Sequence, residues 1–285
     1  MSLLFRPESL MELHELLSRQ NCEKHFLAGG TDWIIKNRGK ISSDAAVIDI
    51  SKIGDFYGIE IVGSVLRIGS METMSRIHSN QAIQKYAAAL ADAASVMGSV
   101  QIRNMATIGG NVANASFAAD TPCALASLCA SAVVASRHGE RRLAVEEMSE
   151  GANKNKLVGG EYIKYFEIPL RESYFSSFKK IGSRTAVSIA RLNLAISARC
   201  DGHVFADARV YAGTLGHPAR GCGAAELSLC SPGSYRCEAF KKALENLAEE
   251  MIPGRSTLPY KKAAIKALGE DTLAVLAMRA GGGLL

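Results

Sequence analysis

The feature that most constrains this chain is a pair of glycine doublets, each flanked by hydroxyl or amide side chains. The first, Gly29-Gly30-Thr31-Asp32, follows the short apolar run Phe26-Leu27-Ala28 and precedes Trp33-Ile34-Ile35-Lys36, which reads as the first turn of a helix. The second is Thr107-Ile108-Gly109-Gly110-Asn111. A strand running into two glycines and then a helix makes a turn whose backbone N–H groups can face an anion, and the missing Cβ atoms admit a phosphate. Either doublet alone reads equally well as a capped turn. Two of them, in a chain without a Walker lysine, argue for a diphosphate held between two loops. No G-x-G-x-x-G follows a strand. The nearest string, Gly221-Cys222-Gly223-Ala224-Ala225-Glu226, lacks the third glycine, so a single-loop dinucleotide fold is set aside.

Composition narrows the class. Of 285 residues 48% are apolar, and 33 Lys and Arg face 28 Asp and Glu for a net charge of +5. A disordered chain is excluded, and the length suggests about two domains. The basic residues are dispersed, which excludes a nucleic-acid footprint. Arg6, Glu8, Glu12 and Glu15 interrupt the start, so no secretory signal is read and a cytoplasmic location is expected. The uncharged stretch Thr121 to Ser136 is shorter than the roughly 20 residues of a spanning helix. The cysteines at 22, 123, 129, 200, 222, 230 and 237 contain no C-x-x-C pair, and the six histidines are scattered. Reduced, mostly buried thiols and no metal site are expected.

Along the chain, residues 7–20 read as an amphipathic helix with Pro7 in its first turn, and 23–28, 46–50 and 65–69 as strands. Two helices fit 72–97, the second over 81–97, followed by a polar stretch at 98–104. Thr121-Pro122 opens another helix with Thr as its cap, before strands at 132–136 and 162–170. Strands at 192–200 and 203–211 meet at Asp201-Gly202, a hairpin signal. Helices follow at 238–250, 260–268 and 270–280, broken by Pro253 and Gly269.

Asp120, ahead of Thr121-Pro122, reads as a charge at a helix N-terminus or as a carboxylate for sugar or ribityl hydroxyls. Lys180 and Arg184 read by themselves as a solvated edge. There is no G-x-S-x-G, and nothing ties one His to a particular Cys or Ser, so no catalytic residue is assigned. Any redox chemistry would belong to a cofactor that the chain binds and orients.

Taken together, Leu27-Ala28-Gly29-Gly30-Thr31-Asp32, the run Gln101-Ile102-Arg103-Asn104-Met105-Ala106-Thr107-Ile108-Gly109-Gly110-Asn111 and Asp120-Thr121-Pro122 resemble the FAD-binding subunit of the xanthine dehydrogenase and carbon monoxide dehydrogenase family of molybdenum hydroxylases. The resemblance implies an α+β architecture: a two-part FAD-binding α/β domain of the vanillyl-alcohol-oxidase (PCMH) type, then a C-terminal domain of small antiparallel sheet and helical bundle. The divisions would be 1–55, 56–172 and 173–285. It implies non-covalent FAD with its pyrophosphate between Ala28–Asp32 and Thr107–Asn111, with Leu27, Trp33, Asp120, Ile163 and Lys180 also at the cofactor. Neither glycine loop offers a His or Cys for covalent attachment. The resemblance further implies a large molybdopterin subunit that oxidises substrate and a small subunit with [2Fe–2S] clusters. FAD would pass electrons to NAD or another acceptor, in a dimer of heterotrimers without a membrane span. A stand-alone flavin oxidoreductase of the same fold, or an accessory chain without flavin, are the alternatives. The missing cysteine-rich insertion argues against the benzoyl-CoA-reductase branch.

Overall fold

The computed structural model describes residues 3–19, 22–184, 187–201, 204–231 and 236–281, which form three main sheets and a two-stranded ribbon. The first sheet is parallel, with Ala46–Asp49 between Leu3–Phe5 and Lys24–Leu27. Every residue of Ala46–Asp49 is buried, as a central parallel strand requires. Leu3–Phe5 joins it although three residues are too few to show a period. The helix Leu10–Arg19 begins later than Pro7 because Ser9 Oγ accepts the Glu12 N–H at 3.2 Å, while the Glu12 carboxylate accepts the Glu8 N–H at 2.9 Å. These bonds satisfy N–H groups that a helix start leaves open. Its Leu13 is fully buried against Ile48, Ile53 and Phe56.

The second sheet is antiparallel, in the order Ile59–Val62, Val65–Gly69, Tyr162–Pro169, Ser131–Ser136, Gly139–Ala144. Its register slips between Ile163 and Tyr165, a bulge of the kind that re-aims side chains near sites. The carbonyl of the bulged Lys164 accepts the N–H of Ser70 at 3.1 Å. The helix expected over 81–97 is two helices, Gln81–Tyr86 and Ala88–Ser95, broken at Ala87 with φ −140° and ψ 46°. A tertiary contact rewards the break: Ser176 Oγ accepts the Ala89 N–H at 3.0 Å. The stretch at 98–104 is not a loop but opens the helix Val100–Met105, capped by Ser99 Oγ accepting the Ile102 N–H at 3.2 Å.

The third sheet runs Tyr174–Gly182, Ala190–Asp201, Val204–Gly213, Arg220–Gly221, with helices Gly223–Cys230, Arg236–Met251 and Leu258–Arg279 packed against it. Asp201 pairs with Val204, so the hairpin forms, while Gly202 of the expected turn lies outside the described residues. The break expected at Gly269 does not occur. A Cβ there would lie 2.6 Å from Leu244 Cδ1 and 3.1 Å from Phe240 Cε1, so this glycine lets two helices approach instead of ending one. The thiols are less buried than expected: Cys123 and Cys222 are buried, Cys230 is exposed, and the other four are intermediate.

Candidate functional site

The two glycine loops come together in space. A Cβ on Gly29 would stand 1.9 Å from the Met105 carbonyl oxygen, and one on Gly110 would meet Ala28 Cβ at 3.7 Å. Between them opens a cleft of about 570 Å³, within the range of small-molecule and cofactor sites. Ala28, Gly29, Gly30, Thr31, Asp32 and Trp33 line it from the first loop, and Thr107, Gly109, Gly110 and Asn111 from the second. Ile163, at the strand bulge, lines it from the sheet. Leu27 and Ile108 do not line it. Ile108 is fully buried beneath the second loop, and Leu27 Cδ1 packs under Gly30.

The loops differ in what they can donate. Gly30 has φ +69°, the left-handed turn that swings the chain from the edge strand Lys24–Leu27 into the helix Trp33–Asn37. Among the described residues the N–H groups of Gly29, Gly30, Thr31 and Asp32 have no protein acceptor. The second loop opens the helix Ile108–Ala113, and its donors are spent. Ile108 N–H goes to Glu72 O at 3.0 Å, Gly109 N–H to Ser70 O at 2.8 Å and Gly110 N–H to Thr107 Oγ1 at 3.1 Å. Its anion-facing backbone, expected from the motif, is therefore replaced by a locked wall.

Asp120 and Lys180 are brought together, behind the cleft and not among its lining residues. Lys180 Nζ stands 2.7 Å from Asp120 Oδ2, and Asn193 Nδ2 donates to Asp120 Oδ1 at 2.9 Å. Burial pushes the Asp120 carboxyl up, against the pull of Lys180 and Asn193. This pair ties the second sheet's helices to the third sheet. Asp120, not Thr121, is the N-cap residue of the helix Thr121–Ser127, and its side chain caps nothing because Lys180 and Asn193 hold it. The Thr121 hydroxyl is instead donated to Asn111 Oδ1, which links the ion pair to the cleft.

Several lining residues escaped the sequence reading. A third doublet, Gly159-Gly160, lines the cleft just before Tyr162–Pro169, with Gly160 at φ +81°. The doublet itself was the available signal. Its loop is held by Arg141, whose Nε and Nη2 each stand 2.8 Å from Glu161, and whose Nη2 also donates to Lys156 O. Bonding to Arg141 holds the Glu161 carboxyl below its ordinary range. Burial pushes the Tyr162 hydroxyl up to about 12, and that hydroxyl bonds His14 Nε2 at 2.9 Å. Across the mouth, Lys36 Nζ donates to Asn114 Oδ1 at 2.9 Å and Asn153 Oδ1 at 2.7 Å and pairs with Asp32 at 2.7 Å. Only the i,i+4 pairing with Asp32 is a local pattern; the two partners across the mouth lie 78 and 117 residues away.

Among the described residues no group of three or more His, Cys, Asp or Glu side chains could hold a metal ion. No described helix is long and apolar enough to cross a membrane.

A two-lobed α+β frame with a cleft walled by paired glycines is that of a nucleotide-cofactor-binding chain. The protein belongs to the family described as the FAD binding domain in molybdopterin dehydrogenase, which matches residues 1–171. It is thus a FAD-binding subunit of the molybdenum hydroxylase-type dehydrogenases, an oxidoreductase component. The nicotinate dehydrogenase FAD-subunit of Eubacterium barkeri is 28% identical over 270 residues, covering 92% of this chain and 91% of the relative. The xanthine dehydrogenase FAD-binding subunit of Escherichia coli O157:H7 is 27% identical over 286 residues, covering 98% and 97%. The solved carbon monoxide dehydrogenase from Hydrogenophaga pseudoflava shares the fold, with a TM-score of 0.88 at 23% identity over 98% of both chains.

Proposed function

We propose that the chain holds one FAD non-covalently in the cleft between residues 28–33 and 107–111 and serves as the electron-transfer subunit of a multi-subunit molybdenum hydroxylase. The observation that carries this reading is the row of unpaired N–H groups at Gly29–Asp32 facing a cleft whose opposite wall is a second glycine doublet. Unpaired backbone donors next to a cavity are an anion site, and a dinucleotide pyrophosphate is an anion of the right reach. In this reading Thr31 adds a hydroxyl and Ile163 an apolar wall. Leu27 and Ile108 support the loops from beneath. Asp120 and Lys180 position the second loop through Thr121 and Asn111. Trp33, whose ring lies 5.7 Å from that of His25, offers an aromatic face at one end.

When bound, the flavin supplies the acceptance and onward passage of electrons, while the chain binds it, orients it and shields it from water. Electrons would come from [2Fe–2S] clusters on a small partner and leave to NAD or another acceptor, after substrate oxidation on a molybdopterin-binding large partner. A dimer of such heterotrimers in the cytoplasm completes the proposal. The working units would be residues 1–55 and 56–172, which supply the lining of the cleft, and residues 173–285, whose Lys180 and Asn193 hold Asp120.

The test is the flavin content of the purified full chain. About one releasable FAD per chain is expected, and a colourless chain that fails to bind added FAD overturns the reading. Gly110→Val should lower FAD affinity by about a hundredfold or more, since its side chain would enter the cleft toward Ala28 and press on the Thr107 hydroxyl 2.9 Å from the new Cβ.

A further inference from the structure

A locked second loop leaves a question of how that side of the cleft holds an anion. Its three leading N–H groups are all bonded within the protein. Buried hydroxyls are the alternative donors, and buried polar atoms in native proteins are nearly always paired. Among the described residues, six buried side-chain polar atoms have no hydrogen-bond partner, those of His25, Arg67, Ser70, Glu72, Asn193 and Thr214. Only His25 and Ser70 of these line the cleft. His25 lies on the strand that leads into the first loop, with the Glu23 carboxylate 3.3 Å from its Nε2. Ser70 has nothing.

Ser70 is also held in place. It is 3% exposed. Its N–H is donated to the bulged Lys164 carbonyl at 3.1 Å, and its own carbonyl accepts the Gly109 N–H at 2.8 Å. Gly109 lies so close that an added Cβ would stand 2.7 Å from Ser70 Cβ. The backbone is thus pinned at both ends, directly beside the second glycine doublet, and the hydroxyl it carries has no partner. A serine so placed costs stability in the empty protein, because the hydroxyl has lost water without gaining a partner. An arriving phosphate oxygen would repair that loss.

We propose that the Ser70 hydroxyl is a cofactor contact that donates a hydrogen bond to a phosphate oxygen of the bound dinucleotide, supplying from the second lobe the donor that its glycine loop cannot. The first loop then contributes backbone N–H groups and the second lobe a side-chain hydroxyl. The inference rests on the flavin reading above.

The experiment compares the full-length wild type with Ser70→Ala, measuring FAD affinity by quenching of flavin fluorescence and the melting temperature of the cofactor-free protein. Ser70→Ala should bind FAD about tenfold more weakly, the usual loss for one hydrogen bond to a charged group. The cofactor-free variant should melt no lower than the wild type, since removing an orphaned hydroxyl relieves a cost. A merely structural serine would lower both. Unchanged FAD affinity overturns the proposal, and so does a weaker affinity accompanied by a lower melting temperature of the empty protein. A wild type that fails to bind FAD overturns the flavin reading itself, and is distinguished by that failure in the unmutated chain.

Discussion

The two glycine loops have almost the same sequence logic and opposite structural roles. At residues 28–33 the doublet sits at the end of an edge strand, Gly30 takes a left-handed turn, and the backbone donors stay unpaired toward the cleft. At residues 107–111 the doublet starts a helix, and its donors are consumed by Glu72, Ser70 and Thr107. In the first loop Gly30 serves conformation, and Gly29 admits the Met105 carbonyl, which would stand 1.9 Å from an added Cβ. In the second the glycines serve packing: Gly109 is pressed on Ser70 at distances no side chain fits. A doublet therefore signals close approach, but what approaches is decided by where the neighbouring elements lie.

That comparison can be broken at the point where the loops touch. Gly29→Val puts a branched side chain onto the Met105 carbonyl, which is backbone and cannot turn aside. A loss of about 3 kcal/mol or more in stability is expected, together with loss of FAD, because overpacking would force the lobes apart. Urea unfolding and flavin content measure both. Normal FAD loading by this variant would show that the loops need not meet.

Gly109→Ala tests the locked wall. Its methyl would stand 2.7 Å from Ser70 Cβ and 2.8 Å from Ser70 O, so a loss of about 2 kcal/mol is expected in the cofactor-free protein as well as the loaded one. A variant that unfolds like the wild type but loses FAD would make this loop a direct cradle like the first.

Acid should act on the frame of the second lobe before it acts on the first loop. Arg142 Nε and Arg67 Nη2 bond the Glu167 carboxylate at 2.9 and 3.3 Å, and these bonds hold its carboxyl below the ordinary range. Because the folded value lies below the unfolded value near about 4.3, the contribution is fully present above that pH and fades as pH falls through the lowered folded value. It amounts to about 1 kcal/mol, discounted because Arg142 is largely exposed. Glu167→Gln should remove that acid-dependent part of the melting temperature below about pH 4.5. An unaltered pH profile would place the acid sensitivity elsewhere.

The smallest effect is expected at the mouth. Lys36→Ala removes the bonds to Asn114 and Asn153 that bridge the lobes, at a cost of about 0.5 kcal/mol for an exposed group. FAD should dissociate faster with little change in unfolding. Stopped-flow release into excess competing flavoprotein measures it, and an unchanged rate would mean that the mouth does not limit exit.

Much of the frame was legible because it is local. The alternation of Tyr162–Pro169, the unbroken apolar run Ala46–Asp49 and the Asp201-Gly202 signal each carry their period or turn chemistry within a few residues. Gly269 misled for a physical reason: a glycine reads as a helix break in isolation, yet here a neighbouring helix occupies the space of its absent side chain. Ala87 shows the reverse, a helix broken at a good helix former because Ser176 caps the segment that follows.

The sequence by itself carried two glycine doublets at turns, a statement about backbone conformation at short spacing. Its motifs also resembled the FAD-binding subunits of molybdenum hydroxylases, and it was that resemblance, not local chemistry, that drew Lys180 toward the cofactor. Only the tertiary structure decided that Asp120 and Lys180 face each other, that a third doublet at 159–160 shares the cleft, and that Ser70 lies orphaned beneath Gly109. Hydrogen bonds saturate, and which donors remain free depends on partners that the chain brings from dozens of residues away.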